Sequence, residues 1–199
     1  MVKIKFVYDI ASPNGYLCHK VIPDFEAKHS VKFDYFICLL GGIHKLSNNT
    51  PPMIAYAEIP NKNSYFGKEI ERFVEFHKIE GFQMNPHFPV ISLQIIRGAI
   101  AAQNDGFLED YIDKVLVHMW EEPKKMDDPE VIKSAFEESG FDAEKLMEQM
   151  QDPDVKAKLI SNTEAAAERG VFGIPTFFVG DEIYFGKDNL WQVEEKLSE

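Results

Sequence analysis

The sequence contains only two cysteines among its 199 residues. Cys18 and Cys38 form no C-x-x-C pair, and neither lies in a spacing that fits a metal site. Disulfide exchange needs a reactive thiol pair, so a dithiol oxidoreductase is excluded. We predict that both cysteines are buried and free, which is compatible with a reducing compartment.

Positive charge and long apolar runs are also scarce. Lys and Arg together number 21 against 33 Asp and Glu, so the net charge is -12. This acidic balance argues against binding to nucleic acid or to an anionic membrane surface. No apolar run approaches the roughly 20 residues that span a bilayer, and the first six residues read as a strand, not as a signal peptide. These features predict a cytoplasmic protein.

The chain opens with a strand–helix–strand pattern. Residues 3–8 and 31–37 alternate in polarity, as strands do. Between them, Ser12 followed by Pro13 is typical of a helix start, with Ser as N-cap and Pro in the first turn. Pro23 lies inside the helical pattern and predicts a kink or a break. This order predicts two parallel strands joined by a right-handed crossover.

The stretch 170–179, Gly-Val-Phe-Gly-Ile-Pro-Thr-Phe-Phe-Val, has a second clear pattern. Pro175 directly precedes an apolar run, which is where proline is tolerated at the start of a strand. A Gly-Asp turn then leads to a short strand at 182–185, which predicts a hairpin, and a helix at 189–197. This order resembles the second half of a thioredoxin fold. The resemblance implies a cis peptide bond before Pro175, whereas the general rarity of cis bonds predicts trans.

Strand patterning is weak between about residues 41 and 169. Gly41-Gly42 and the segment 47–52 have loop-like compositions. Helical spacing of apolar residues, together with cap signals, predicts helices over 63–78, 92–105, 107–121, from 129 onward, 142–150 and 153–169. The predicted fold class is therefore α/β. A thioredoxin-like domain, 1–40 plus 170–199, contains an inserted all-helical domain, 41–169.

Several short motifs occur along nearly the whole chain, and each alone is weakly specific. They are Asp9-x-x-Ser12-Pro13-x-x-Tyr16-Leu17, Leu40-Gly41-Gly42-Ile43-x-Lys45, Asn49-x-Pro51-Pro52, Pro86-x-Phe88-Pro89, Trp120-Glu121, Gly170-Val171-Phe172-Gly173-Ile174-Pro175-Thr176-Phe177 and Phe185-Gly186-x-Asp188. Their order and spacing resemble the 2-hydroxychromene-2-carboxylate isomerases and the kappa-class glutathione transferases. Both belong to the disulfide-oxidoreductase-like branch of thioredoxin folds, with a helical insertion.

The start of the first helix departs from that branch. Where the oxidoreductases have Cys-x-x-Cys, this chain has Ser12-Pro13-Asn14-Gly15. The resemblance implies that Ser12 is catalytic and holds the sulfur of bound glutathione as a thiolate. A free thiol has a pKa of about 8.5, and both a helix N-terminus and a hydroxyl donor favour its anion. The alternative is that Ser12 only caps the helix.

The resemblance also implies further contacts to glutathione as cofactor. Beside Pro175, the backbone of Ile174 would pair with the cysteinyl part like an added strand, with the Val171 backbone as a weaker candidate. Asn49 and Lys62 would contact glutathione from the insertion, and Asp188 would bind the γ-glutamyl ammonium. Two alternatives without a role in binding remain. Lys62 also fits a solvent-exposed surface lysine, and Asp188 also fits a helix N-cap.

The function implied by the resemblance is glutathione-dependent isomerisation in aromatic catabolism. The thiolate would add to a conjugated aromatic acid, a former double bond would rotate, and elimination would return free glutathione. A kappa-type transferase or peroxidase is the first alternative, and a redox-dead thioredoxin-like binding protein is the second. The implied partners are a small electrophilic or aromatic substrate and a second copy of the chain in a homodimer.

Overall fold

A computed structural model describes residues 3–198 of the chain. Within them, four strands form one sheet in the order β2-β1-β3-β4. They are Lys3–Tyr8 (β1), Lys32–Ile37 (β2), Thr176–Val179 (β3) and Glu182–Phe185 (β4). β1 and β2 run parallel, whereas β1–β3 and β3–β4 are antiparallel pairs. The sheet confirms the predicted parallel opening and the C-terminal hairpin.

Helices make up most of the remaining chain. In order, the α-helices within the described residues are Pro13–His29 (α1), Leu40–Leu46 (α2), Pro52–Ala55 (α3), Pro60–His77 (α4), Leu93–Asp105 (α5), Leu108–Leu116 (α6), Pro129–Glu138 (α7), Ala143–Gln149 (α8), Pro153–Glu168 (α9) and Leu190–Leu197 (α10). A π-helical turn, Val117–Glu121, continues α6, and a 3-10 turn, Lys187–Asn189, precedes α10. The helices predicted between residues 63 and 169 are therefore present, with shifted ends.

Two local predictions were wrong, namely a loop at Gly41-Gly42 and a break of the first helix at Pro23. The Gly41-Gly42 pair lies inside α2 and not in a loop. A Cβ on Gly42 would lie 2.8 Å from Cγ2 of Thr163 in α9, so the glycine permits close packing of the two helices. Pro23 does not divide α1, which runs unbroken through it. Val21 and Ile22 before the proline are buried, and the partly buried Phe25 after it packs against the core.

The main hydrophobic core extends from the sheet into the helical segment. One cluster includes Phe6 and Phe177 of the sheet together with Ile100 of α5 and Trp120 of the π-helical turn. Sheet and helices therefore share one continuous core, and the division into two domains stays a prediction. Cys18 and Cys38 are buried and free, as predicted. No helix in the described part of the chain is long and apolar enough to cross a membrane.

Close packing of α5 on α6 leads to the first prediction. A Cβ on Gly98 would lie 2.8 Å from Cζ of Tyr111, whose hydroxyl donates to the Ile95 carbonyl at 2.7 Å. Gly98→Ala should therefore lower the free energy of unfolding by about 1–3 kcal/mol, the usual cost of overpacking. Urea denaturation measures this change.

Gly67 provides the matched control, because it lies on the exposed face of α4 with open space around its Cα. Alanine is the better helix former, so Gly67→Ala should stabilise the protein by about 0.5–1 kcal/mol. Opposite signs for the two variants are expected. A stabilising Gly98→Ala would contradict the packing described here.

Candidate functional site

Ser12 forms the N-cap of α1. Its backbone is extended, with φ -85° and ψ 115°, and its Oγ accepts a hydrogen bond from the Gly15 N–H at 3.1 Å. Pro13 follows in the first turn and has no N–H to satisfy. The capping role considered in the sequence is therefore present. Ser12 is almost completely buried, with 2% of its surface exposed.

The same hydroxyl also connects the two halves of the sheet domain. Ser12 Oγ donates to the carbonyl oxygen of Ile174 at 3.1 Å, across 162 positions of sequence. The Ile174–Pro175 bond is cis, as the resemblance implied. The carbonyl of Pro175 accepts from the Gly186 N–H at 2.9 Å, so the turn that leads to Asp188 lies beside the proline.

Two backbone donors remain open at this place. The N–H groups of Asn14, at the start of α1, and of Ile174 have no hydrogen-bond partner within residues 3–198. Helix N-terminal amides attract anions. An open amide beside Pro175 offers the pairing edge that an extended peptide uses. The residues present therefore fit a short peptide that carries an anionic sulfur.

A buried carboxylate holds these pieces in place. Asp9 accepts from the N–H of Ala11 at 2.9 Å, from the N–H of Leu40 at 2.8 Å and from the Ser92 hydroxyl at 2.8 Å. Its carbonyl accepts from the Ser12 N–H at 3.1 Å. Burial raises the pKa of the Asp9 carboxyl, and the three hydrogen bonds oppose that shift. The sequence pattern names Asp9 only as the first residue of a motif, because none of these hydrogen-bond partners is visible in it.

Asn49 and Val171 lie on the loops that flank Ile174. Asn49 Nδ2 donates to the Phe172 carbonyl at 2.8 Å, and its Oδ1 accepts from the Thr50 N–H at 2.9 Å. The side chain therefore links the loop after α2 to the loop before Pro175. The Val171 N–H bonds to the Ala166 carbonyl at 3.1 Å, where it closes the end of α9. That N–H is not open to a ligand.

Lys62 and Asp188 have different environments. The Lys62 ammonium lies 3.3 Å from the centre of the Tyr56 ring. Within the described residues no hydrogen bond or ion pair joins Lys62 to Ser12, Ile174 or Asp188. Asp188 lies in the 3-10 turn before α10, so it does not cap α10, whose N-cap is the next residue. Its carboxylate accepts from the ammonium of its neighbour Lys187.

One turn along α1 from Ser12, polar and aromatic groups gather around Tyr16. The Tyr16 hydroxyl donates to Glu121 Oε1 at 3.0 Å, and Lys20 Nζ donates to the same oxygen at 2.9 Å. Burial and the Glu121 carboxylate raise the pKa of Tyr16. The rings of Phe82 and Trp120 lie 5.5 and 6.5 Å from that of Tyr16. The sequence signals for this group are Tyr16 in the motif around Ser12 and the Trp120-Glu121 motif, and π-helical turns of this kind are frequent at functional sites.

Comparisons with known proteins identify the family and the fold of the chain. The family model of the DSBA-like thioredoxin domain matches residues 3–198. Human glutathione S-transferase kappa 1 is 26% identical, over 98% of this chain and 91% of the human protein. The 2-hydroxychromene-2-carboxylate isomerase of Pseudomonas sp. strain C18 is 23% identical, over 99% of this chain and 91% of that protein.

Among solved structures, a 2-hydroxychromene-2-carboxylate isomerase superposes with a TM-score of 0.84 and 21% identity, covering 98% of this chain and 94% of that chain. At this identity the match shows the fold alone. No group of histidine, cysteine or acidic side chains within the described ranges could hold a metal ion.

Proposed function

Because the chain belongs to the family of DSBA-like thioredoxin domains, we propose that it is a glutathione-dependent isomerase of an aromatic, conjugated acid. Its curated relatives are named as isomerases and as glutathione transferases, which confirms the prediction of an enzyme. Homodimerisation and a cytoplasmic location stay predictions. The specific reaction proposed is of the 2-hydroxychromene-2-carboxylate isomerase type, after the name of the isomerase relatives.

The observation that carries the proposal is the bridge from Ser12 to Ile174. It brings the start of α1 to the backbone before Pro175, with open N–H groups on Asn14 and Ile174 on either side. A serine hydroxyl occupies the place of the thiol that the oxidoreductase branch has there. Disulfide exchange at this place lacks a nucleophile, so the sulfur must come with a ligand.

The chemistry that glutathione supplies when bound is reversible addition of its thiolate to a conjugated acid. The chain's part is to hold that sulfur as an anion and to fix the peptide. The Asn14 N–H and the α1 dipole favour the anion, and the Ser12 hydroxyl becomes a donor to sulfur by turning from the Ile174 carbonyl. The Ile174 backbone pairs with the peptide. Asn49 and Val171 shape the adjoining loops through their own hydrogen bonds.

The conjugated acid, in this proposal, lies beside Tyr16 in the direction of the insertion. Phe82 and Phe88 are partly exposed there, and their ring centres lie 6.2 and 6.0 Å from that of the buried Trp120, stacked for Phe82 and tilted for Phe88. Aromatic faces suit an aromatic acid. The Lys20 ammonium, already paired with Glu121, adds positive charge near this surface.

A kappa-type transferase is the second candidate. Human glutathione S-transferase kappa 1 is slightly more similar in sequence, at 26% identity, than the isomerase relatives, at 23%. The two reactions differ in what happens to the thiol, because a transferase consumes it and an isomerase returns it.

Binding of reduced glutathione is the first functional prediction. A ligand of the native state stabilises it by RT ln(1 + [L]/Kd), which is about 2.7 kcal/mol at a hundredfold excess over Kd. For a chain of this length we expect the thermal midpoint to rise by about 5–10 °C. Differential scanning fluorimetry with a glutathione titration measures the rise, with free cysteine at the same concentration as the control.

An unchanged midpoint at millimolar glutathione would argue against the proposal. Where glutathione binds, free thiol is counted during many turnovers of 2-hydroxychromene-2-carboxylate. A constant thiol concentration supports the isomerase, and one thiol lost per turnover supports the transferase.

A further inference from the structure

The ion pair between Lys187 and Asp188 has an unusual arrangement. Lys187 Nζ lies 2.6 Å from each carboxylate oxygen of Asp188. The lysine side chain is 4% exposed, whereas the aspartate side chain is 64% exposed. The ammonium is therefore inside the protein, and the carboxylate faces outward on the 3-10 turn that follows Gly186, whose N–H donates to the Pro175 carbonyl.

The surroundings of the ammonium explain why it stays paired. Phe73 of α4 has its ring centre 5.1 Å from Lys187 Nζ, and the buried Cys18 of α1 is near enough to feel the charge. Burying an unpaired ammonium among such groups is costly. Within residues 3–198, Asp188 is the acidic residue that forms an ion pair with it.

This pairing changes what Asp188 offers to a ligand. A free carboxylate at the edge of the site would attract the α-ammonium of a γ-glutamyl group. Here the inner side of the carboxylate already contacts a cation. A second cation that approaches from outside is attracted by the nearer Asp188 carboxylate and repelled by the Lys187 ammonium behind it, so the net attraction is weaker than that of a free carboxylate.

We propose that Lys187 sets the specificity for the thiol ligand by taking the place of the ligand's ammonium at Asp188. The site then accepts γ-glutamyl and glutaryl cysteinyl peptides alike, and gains little from the α-amino group. This inference rests on the proposed binding of glutathione at Ser12 and Ile174. It concerns the Asp188 end of that site, which is separate from the hydrogen bond between Ser12 and Ile174.

The test compares glutathione with glutaryl-Cys-Gly, which is the same peptide without the α-amino group. Isothermal titration calorimetry gives both dissociation constants for the wild type, for Lys187→Met and for Lys187→Met/Asp188→Asn. Methionine has similar length, and the Asp188 that it leaves unpaired is mostly solvated, so the fold should persist. Asp188→Ala is less suitable, because it leaves a buried ammonium without a partner.

In the wild type, the two peptides should bind within about threefold of each other, because a compensated pair discriminates weakly. Lys187→Met frees the Asp188 carboxylate, and the preference for glutathione should grow at least about fivefold. The double variant removes the carboxylate charge and should return the ratio to that of the wild type. Circular dichroism confirms that each variant is folded.

The inference is overturned if glutathione binds to all three proteins and Lys187→Met raises the preference by less than fivefold. It is equally overturned if the wild type already prefers glutathione by tenfold or more. If the folded wild type binds neither peptide, the proposed function itself fails, and the inference fails with it.

Discussion

Ser12→Ala is expected to lower turnover near neutral pH by about ten- to a hundredfold. The substitution deletes the hydroxyl donor but leaves the α1 N-terminus and the Asn14 N–H in place. A hydrogen bond to a charged group contributes about 1.5–3 kcal/mol, which corresponds to about one to two pKa units. The pKa of the bound thiol should rise by that amount. Because the thiolate is the reactive form, activity should recover in part at higher pH.

Two measurements follow this expectation, namely thiolate absorbance against pH with glutathione bound, and turnover against pH. Binding of glutathione should weaken only modestly, since the Ile174 backbone is intact. If the titration curve of Ser12→Ala matches that of the wild type, Ser12 acts as a cap and the amides activate the sulfur alone.

Removal of a different N-cap, far from Ser12 in the sequence, distinguishes activation of the thiol from a loss of stability. Asp128 caps α7 by accepting from the Glu130 N–H at 3.1 Å, far along the chain from Ser12. Both Asp128→Ala and Ser12→Ala lose a cap, which costs about 0.5–2 kcal/mol of stability. Only Ser12→Ala should change the pH profile of turnover. A matching shift in Asp128→Ala would indicate a general effect of instability.

Asp9→Ala is expected to lower the free energy of unfolding by about 3–5 kcal/mol. The change leaves the buried Ala11 N–H, the partly buried Leu40 N–H and the buried Ser92 hydroxyl without their acceptor. Each unsatisfied buried group costs about 1–3 kcal/mol. The affected donors lie on three separate segments, at the start of α1, of α2 and of α5. Glutathione binding should weaken as well, because the carboxylate no longer holds the segment around Ala11 that leads into Ser12.

Ser92→Ala is the matched control for this prediction. It removes one of the three hydrogen bonds to Asp9 and keeps the two from the Ala11 and Leu40 N–H groups, so it should cost about 1 kcal/mol. Urea denaturation compares the two variants. Where Asp9→Ala fails to fold, Asp9→Asn takes its place, since its amide still supplies one acceptor. Similar losses in Asp9→Asn and Ser92→Ala would contradict the central role given to the carboxylate.

Local patterns in the sequence were sufficient for most of the secondary structure. The alternation in 3–8 and 31–37, the cap at Ser12 and the hairpin at 176–185 each depend on neighbours within a few positions. Such patterns succeed because strand pleating, helix periodicity and capping are short-range effects. The fold class followed from their order together with a family resemblance, and the family match confirms it.

Long-range packing accounts for the errors. Gly41-Gly42 has the composition of a loop, but its lack of side chains lets α2 approach Thr163 of α9. Pro23 disfavours a helix locally, yet the burial of Val21 and Ile22 and the packing of Phe25 against the core outweigh that cost. In each case tertiary contacts decided against a local preference.

The sequence by itself determined that the α1 N-terminus carries a serine and no thiol, and that Ile174-Pro175 precedes a strand. Only the tertiary structure brought Ser12 to the Ile174 carbonyl, since 162 positions separate them and no periodicity relates them. It likewise decided that Asp9 is buried among three donors, and that the Lys187 ammonium points inward while Asp188 faces outward. Charge and burial depend on which segments pack together, and that packing sets what each side chain can offer a ligand.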